Sequence, residues 1–287
     1  MSTAPLGILG GSGLGRLAGF ELEEERQLDT GFGSPSAPLR RGRLAGTPVV
    51  FVPRHGDGHH LTPSEVPYRA NLLALKQLGV ERVLSVSAVG SLREDLAPGD
   101  FVLVDQFIDR TVARPRSFFG EGCVAHVPFG DPVDAAMIEV LQRCGETIEG
   151  LRVVSGGTYL TMEGPQFSSR AESELYRSWG CAVIGMTNGT EARLAREAGL
   201  AFASIAMVTD YDCWHPGHDE VDVAQVIAVV QRNAQLVAQL LAAAVADLAA
   251  LGPSPWRGIA ARSLLTRADA IPVATRARLA PLLDEPA

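Results

Sequence analysis

The sequence has no CxxC pair, no HExxH and no histidine–cysteine grouping at zinc-ligand spacing, so nothing in it frames a metal site. Its four cysteines, Cys123, Cys144, Cys181 and Cys213, read as reduced thiols of a cytoplasmic protein, because disulfides are rare in that compartment. Basic residues are in deficit: 25 Lys+Arg stand against 33 Asp+Glu, for a net charge of −8. That balance argues against a nucleic-acid partner, which would need a basic stripe. It leaves room for a small anion in a pocket that sets its own local field. No basic segment followed by a sustained apolar run opens the chain, so a signal peptide is not expected. The long apolar stretch after Val221 is broken by Gln225, Gln231, Arg232 and Asn233, which reads as an amphipathic helix and not as a membrane span. Internal repeats and low-complexity blocks are also lacking.

What is present is alternation. Short apolar, β-branched runs predict strands over Leu6–Leu9, Pro48–Val52, Arg82–Ser87, Phe101–Val104, Arg152–Thr161, Ala182–Met186 and Phe202–Thr209. Helical patterns lie between and after them, over Tyr68–Leu78, Val133–Arg143, Ser169–Trp179, Glu191–Glu197 and Val221–Leu251. The last is the clearest, with Val223, Val226, Ile227, Val230, Ala234, Val237, Leu241 and Ala244 at three- and four-residue steps. The expected fold class is α/β: one domain spanning residues 1–287, with a mixed, mostly parallel twisted sheet flanked by helices. Gly252–Pro255 opens a C-terminal extension, residues 252–287, expected to pack on this domain or on a neighbouring subunit.

The polar clusters that look chemical follow the predicted strands. Gly10-Gly11-Ser12-Gly13 follows the first, Arg54-His55-Gly56 the second, and Ser87-Ala88 ends the third. Glu163-Gly164-Pro165, Met186-Thr187 and Asp210-Tyr211-Asp212 follow later ones. In open α/β sheets ligands bind beyond the carboxyl ends of the strands, so these clusters predict a single site. The glycine loop lets backbone N–H groups approach an anion, and Ser12 adds a hydroxyl. It is neither a Walker loop nor a GxGxxG turn, and by itself it reads equally well as a tight turn. Arg54 offers a planar fork suited to phosphate oxygens and His55 a second donor, although the dipeptide alone also fits a surface loop. Asp210 and Asp212 share a face if the strand stays extended. Two close carboxylates raise each other's pKa, which would give a general acid beside a hydrogen-bond acceptor. The plainer alternative is a pair of capping or surface aspartates.

Taken in order, several long motifs resemble the trimeric purine nucleoside phosphorylase family. They are Gly7-Ile8-Leu9-Gly10-Gly11-Ser12-Gly13, Pro53-Arg54-His55-Gly56, Gly90-Ser91-Leu92-Arg93, Asp105-Gln106-Phe107-Ile108-Asp109-Arg110-Thr111 and Glu163-Gly164-Pro165-Gln166-Phe167. Phe167-Ser168-Ser169-Arg170-Ala171-Glu172 and Thr209-Asp210-Tyr211-Asp212-Cys213-Trp214 resemble its 5'-methylthioadenosine phosphorylase branch. The resemblance implies phosphate held by Ser12, Arg54, His55, Ser87, Ala88 and Thr187, and a purine held by Phe167, Met186, Asp210 and Asp212. It implies a pocket for the 5' substituent lined by Val223 and Val226. It further implies a homotrimer in which His126 reaches a neighbouring subunit's ribose, with the tail near Leu282 and Leu283 a second such element. Two positions depart from the family's pattern. The run Met186-Thr187-Asn188-Gly189-Thr190-Glu191 lacks the proline usual just before the glutamate, and Gly185 stands where the animal enzymes carry asparagine.

The activity so implied is phosphorolysis of 5'-methylthioadenosine, or a related 5'-substituted adenosine, to adenine and the sugar 1-phosphate. Inorganic phosphate is the co-substrate, and no metal or organic cofactor is called for. The implied setting is purine and methionine salvage. Two other activities fit the same fold. A 6-oxopurine phosphorylase would want an asparagine in place of Asp210, and a hydrolytic nucleosidase would have no use for an anion site at Arg54 and His55. A nucleotide-binding module without catalysis is the third alternative.

Overall fold

The computed structural model describes residues 4–11, 17–217 and 223–284. The described strands form one eleven-stranded sheet. β1 (Leu6–Gly10) lies parallel to both β4 (Thr47–Pro53) and β5 (Arg82–Ser91). β5 is ten residues long and forks: β11 (Ala201–Asp210) runs parallel to most of it, while β10 (Cys181–Gly185) takes its last two residues antiparallel. β9 (Thr158–Thr161) and β7 (Gln106–Asp109) continue parallel beyond β10. On the far side of β11 come β6 (Phe101–Leu103), antiparallel to it, and β8 (Val153–Ser155). The other edge is an antiparallel extension, β3 (Leu39–Leu44) and β2 (Phe20–Arg26), beside β4. The sheet is mixed and mostly parallel, as expected.

Several elements depart from expectation, among them β7 and the helices over Ile259–Arg262 and Val273–Leu283, which were not predicted. The single strand expected over Arg152–Thr161 is two, because Gly156 and Gly157 adopt φ of 88° and 122° and turn the chain between β8 and β9. β2 and β3 were not expected, since neither is apolar. Their pairing is an edge ladder of ion pairs, Arg40–Glu25, Arg41–Glu24 and Arg43–Glu23.

Strand alternation divides the core between two faces. Leu6 and Ile8 of β1, Leu84 and Val86 of β5, and Ala203, Ile205 and Met207 of β11 face α2 (Ala135–Gly145) and α5 (Val223–Ala250). Leu9, Val83 and Phe202 face α1 (Tyr68–Gln77) and α4 (Asn188–Glu197). α5 is long and apolar enough to span a membrane by composition. Its Val230, Val237, Leu240, Leu241, Ala244, Val245 and Leu248 are nevertheless buried in the first core, so its apolar side has a protein partner. α3 (Arg170–Ser178) begins with a capping box, Ser169 with Glu172.

The C-terminal segment lies on this chain's own helices. Ala260 of α6 (Ile259–Arg262) and Leu279 and Leu282 of α7 (Val273–Leu283) join the second core. Leu282 is thus held in the core, with Leu283 packed at its margin. Arg82 anchors the start of the segment by donating to the carbonyls of Leu251 (3.1 Å) and Pro253 (3.2 Å). The four cysteines are free thiols.

Candidate functional site

The register brings the polar clusters level. Gly10 pairs with Pro53 on one side and Val86 on the other, so the residues after β1 and β4 flank Ser87 at once. Further along β5, Gly90 sits opposite Ile184 of β10 and Asp210 of β11. The described members of the clusters predicted to converge do so, along the line from Gly10 to Asp210. Ser12 lies outside the described residues.

The anion end is built around Arg54. Although its motif alone fitted an exposed loop, Arg54 is only 1% exposed. Its Nε donates to Glu191 Oε1 (2.5 Å), and its Nη2 to Glu191 Oε2 (3.1 Å) and Ser85 Oγ (2.6 Å). Nη1 donates to the Val86 carbonyl (3.1 Å). Burial works against the charge, but Glu191 outweighs it and the guanidinium's pKa is raised. Arg54 is therefore not a free phosphate clamp. Of its five N–H groups, one on Nη1 remains without an acceptor among the described residues. A Cβ at Gly11 would lie 2.5 Å from Nη1, so glycine is what lets the loop after β1 reach this nitrogen.

His55 also differs from expectation. Its Nδ1 lies 2.9 Å from the Leu61 carbonyl, which can only accept, so Nδ1 carries the proton and Nε2 the lone pair. Burial, then the charge of Arg54, lowers its pKa to about 4. The ring is neutral, stacked on His59 at 4.2 Å, and its remaining nitrogen is an acceptor, not the donor predicted. Both residues line an open cleft of about 530 Å³ that also includes Gly10, Gly11 and Arg40.

Ser87 is buried, and its hydroxyl has no partner among the described residues. Ala88 packs at the margin of the first core, as does Val226. Thr187 precedes α4 without capping it by its side chain; its hydroxyl donates to Asn188 Oδ1 (3.0 Å). Asn188 in turn donates to Ser85 (2.9 Å) and Ser204 (2.6 Å). The first turn of α4, which lacks the family's proline, is tied down by these bonds and by Gly189 N–H to Thr161 (3.0 Å). A helix N-terminus aimed at this cluster favours an anion.

At the other end, a Cβ on Gly90 would lie 2.9 Å from Asp210 Oδ1 and 3.3 Å from Asp212 Cβ. The two aspartates share the space over one glycine, but not because the strand stays extended. β11 ends at Asp210, and Asp212 has φ 51° in the following turn. Asp210 accepts from the Asp212 N–H (2.8 Å) and from Thr209 (2.7 Å). Burial raises the pKa of both carboxyls. For Asp210, the Thr209 and Asp212 N–H bonds lower it in part and the charge of Asp212 adds a lesser rise. Asp212 Oδ2 is buried without a hydrogen-bond partner among the described residues.

Met186 is half-buried; a Cβ on Gly164 would come within 2.6 Å of its sulfur. Phe167 is 43% exposed at the rim. Val223, the first residue of α5, is 57% exposed, while Val226 one turn on is half-buried. His126 is exposed, and its N–H donates to the Ser263 carbonyl (3.0 Å). No hydrogen bond joins it to the strand-end cluster among the described residues.

Sequence reasoning assigned no role to Glu191, Ser85, Asn188 and Gly90, nor to Arg114. The Arg114 side chain is fully buried and bonds Tyr68 Oη (3.2 Å), the Met186 carbonyl and the Glu163 carbonyl (2.5 Å). It thereby ties Met186 to the Glu163 loop. Burial opposes ionisation of Glu163, yet the Ser64 hydroxyl and the N–H groups of Val112 and Ala113 bring its carboxyl to about 2. The available signal was polarity inside apolar runs: Ser85 and Ser87 alternate within β5, where only a shared polar face would accommodate them.

Comparison with known proteins agrees with this fold. Residues 5–246 match the family described as the phosphorylase superfamily. The chain is 51% identical over 289 residues to an S-methyl-5'-thioadenosine phosphorylase of Synechocystis sp., covering 99% of this chain and 88% of that one. It is 51% identical over 276 residues to that of Koribacter versatilis, covering 96% and 94%. Among solved structures, a methylthioadenosine phosphorylase sourced from an antarctic soil metagenomic library superposes with a TM-score of 0.91 at 44% identity, over 99% of this chain and all of that one. The Schistosoma mansoni methylthioadenosine phosphorylase in complex with adenine gives 0.82 at 38% identity, over 87% and 93%. With half its residues shared along nearly its full length, this chain belongs to the phosphorylase superfamily.

Proposed function

We propose that the protein is a pentosyltransferase that cleaves 5'-methylthioadenosine with inorganic phosphate, yielding adenine and 5-methylthioribose 1-phosphate. The observation that carries this reading is the pairing of an anion end and a purine end on one sheet edge. Arg54 Nη1 and Gly11 lie at one end of it, and Asp210 and Asp212 over Gly90 at the other. The curated relatives bear the name S-methyl-5'-thioadenosine phosphorylase, and a solved relative holds adenine.

In this reading phosphate lies against Arg54, Ser87, Ala88, Thr187 and Ser12, with His55 Nε2 accepting a hydrogen bond from a protonated phosphate oxygen. The C1'–N9 bond breaks as a phosphate oxygen bonds C1' through an oxocarbenium-like state. Adenine is a poor anionic leaving group, so N7 takes the proton that buried Asp210 holds, and Asp212 accepts from the exocyclic amine. Phe167 and Met186 flank the base, and Val223 and Val226 receive the methylthio group. Phosphate is a co-substrate and no cofactor takes part. The working unit is a cytoplasmic homotrimer in which His126, tethered at Ser263 and exposed, serves the neighbouring subunit's ribose.

A substrate panel tests this reading: methylthioadenosine, adenosine and inosine, each with and without phosphate. The expected result is phosphate-dependent release of adenine, fastest from methylthioadenosine. Phosphate-independent cleavage would favour a hydrolase, and preference for inosine a 6-oxopurine enzyme.

A further inference from the structure

One buried hydroxyl at the site belongs to a residue that no motif singled out. Tyr159 is fully buried in the middle of β9, its ring against Phe107 at 5.7 Å between centroids. Its hydroxyl projects across β10 at Gly185. A Cβ on Gly185 would lie 1.9 Å from Tyr159 Oη and 2.6 Å from Cζ. No side chain at position 185 is compatible with this ring, so the glycine there has a physical reason, which is to let the phenol through. Gly185 runs directly into Met186 and Thr187, its neighbour Ile184 pairs with Gly90 of β5, and the phenol lies within interaction reach of Ser87.

Three facts describe what it meets. Tyr159 Oη and Ser87 Oγ are both buried, and neither has a hydrogen bond of good geometry among the described residues. Ser87 and the Thr187 backbone are nonetheless near enough to pull the phenol's pKa down against the burial that raises it. The net effect is upward, so the phenol keeps its proton throughout the neutral range and can act only as a hydroxyl. Two unpartnered hydroxyls side by side, each away from water, are costly unless something satisfies them when the site works.

We propose that Tyr159 is a positioning residue of the anion site: its O–H donates to Ser87 Oγ and so turns the Ser87 proton onto the bound phosphate. A serine hydroxyl has one proton and can rotate. Occupying a Ser87 lone pair with a donor leaves that proton free to point outward. Chained hydrogen bonds of this kind also strengthen one another in a dry site. Gly185 and Tyr159 then act as one unit. The inference rests on the reading of Ser87 as a phosphate contact.

The test is Tyr159→Phe, which keeps the ring and removes only the hydroxyl. Steady-state kinetics with phosphate and methylthioadenosine varied separately should show KM for phosphate raised roughly fivefold or more, with KM for the nucleoside within twofold of wild type. The phosphate-induced rise in Tm, read without nucleoside, should shrink in parallel, giving a readout independent of turnover. In a Ser87→Ala background the same substitution should add no further change, because its effect passes through Ser87. An unchanged phosphate KM, equal losses for both substrates, or full additivity with Ser87→Ala would overturn the proposal. A wild-type enzyme that cleaves without phosphate would instead overturn the underlying reading, so the two failures are distinguishable.

Discussion

Arg54 and Glu191 form a buried ion pair, Nε to Oε1 at 2.5 Å and Nη2 to Oε2 at 3.1 Å, with each side chain 1% exposed. The pair joins the end of β4 to the first turn of α4, so the anion end of the site is also a structural clasp. Removing one partner of such a pair leaves a buried charge unmatched, at about 3–5 kcal/mol. Glu191→Gln is therefore expected to lower Tm by roughly 6–20 °C, at about 2–4 °C per kcal/mol for a chain of this size. A calorimetric Tm within 2 °C of wild type would show that the clasp contributes little. Arg54→Ala, by the same reasoning, reduces stability together with phosphate use.

His55 makes stability depend on pH in a definite direction. Its pKa in the folded protein is about 4 against an ordinary 6.5. Between those values the unfolded chain binds the proton and the folded one does not. Stability from this group is thus fully present above about pH 6.5 and falls as pH drops toward 4, by up to roughly 3 kcal/mol. His59 is shifted the same way. Tm measured from pH 7 to pH 5 should fall in wild type and fall less in His55→Gln. Equal slopes in the two proteins would place the effect elsewhere.

In the proposed reading the Asp210–Asp212 turn sets the base. A carboxylate at Asp212 accepts from a 6-amino group and repels a 6-oxygen, and each unpaired buried polar group costs about 1–3 kcal/mol. Adenine nucleosides are expected to exceed inosine in kcat/KM by roughly two to four powers of ten. Asp210→Asn should slow adenine nucleosides strongly, because an amide is a poor proton donor, while narrowing the gap to inosine. An inosine activity in wild type equal to that with adenosine would refute these roles.

Val226 is half-buried at the margin of the core and Val223 is exposed one turn away, and neither offers a hydrogen bond to a 5'-hydroxyl. A methylthio group gains about 0.8 kcal/mol for each methylene-sized unit it buries. Val226→Ser is expected to lower kcat/KM for methylthioadenosine several-fold and to leave adenosine nearly unchanged. Parallel losses for both substrates would separate Val226 from the 5' group.

The parallel frame was legible because β1, β4, β5 and β11 are apolar β-branched runs, each followed by polar residues at the edge where ligands gather. The edge hairpin was not, because β2 and β3 are held by Glu–Arg ladders that look like loop composition. Nor was the break at Gly156-Gly157, where apolar runs on both sides read as one strand. Motifs located Arg54, His55 and the aspartates but not their states. Arg54 proved mostly engaged by Glu191, 137 residues away in sequence, and His55 became an acceptor through the Leu61 carbonyl. Asp212 reached Gly90 by a left-handed turn and not by strand alternation. Each of these depends on a partner or a dihedral that local sequence does not specify, and Tyr159 depends on a glycine in another strand.

Phosphate, not water, is the group expected to attack C1'. That expectation is tested most directly by cleaving methylthioadenosine in ordinary water with phosphate carrying heavy oxygen, followed by mass spectrometry of the sugar product. The expected product is 5-methylthioribose 1-phosphate retaining the full label of the phosphate, including the oxygen that bridges to C1'. Free 5-methylthioribose with an unlabelled anomeric oxygen would contradict it.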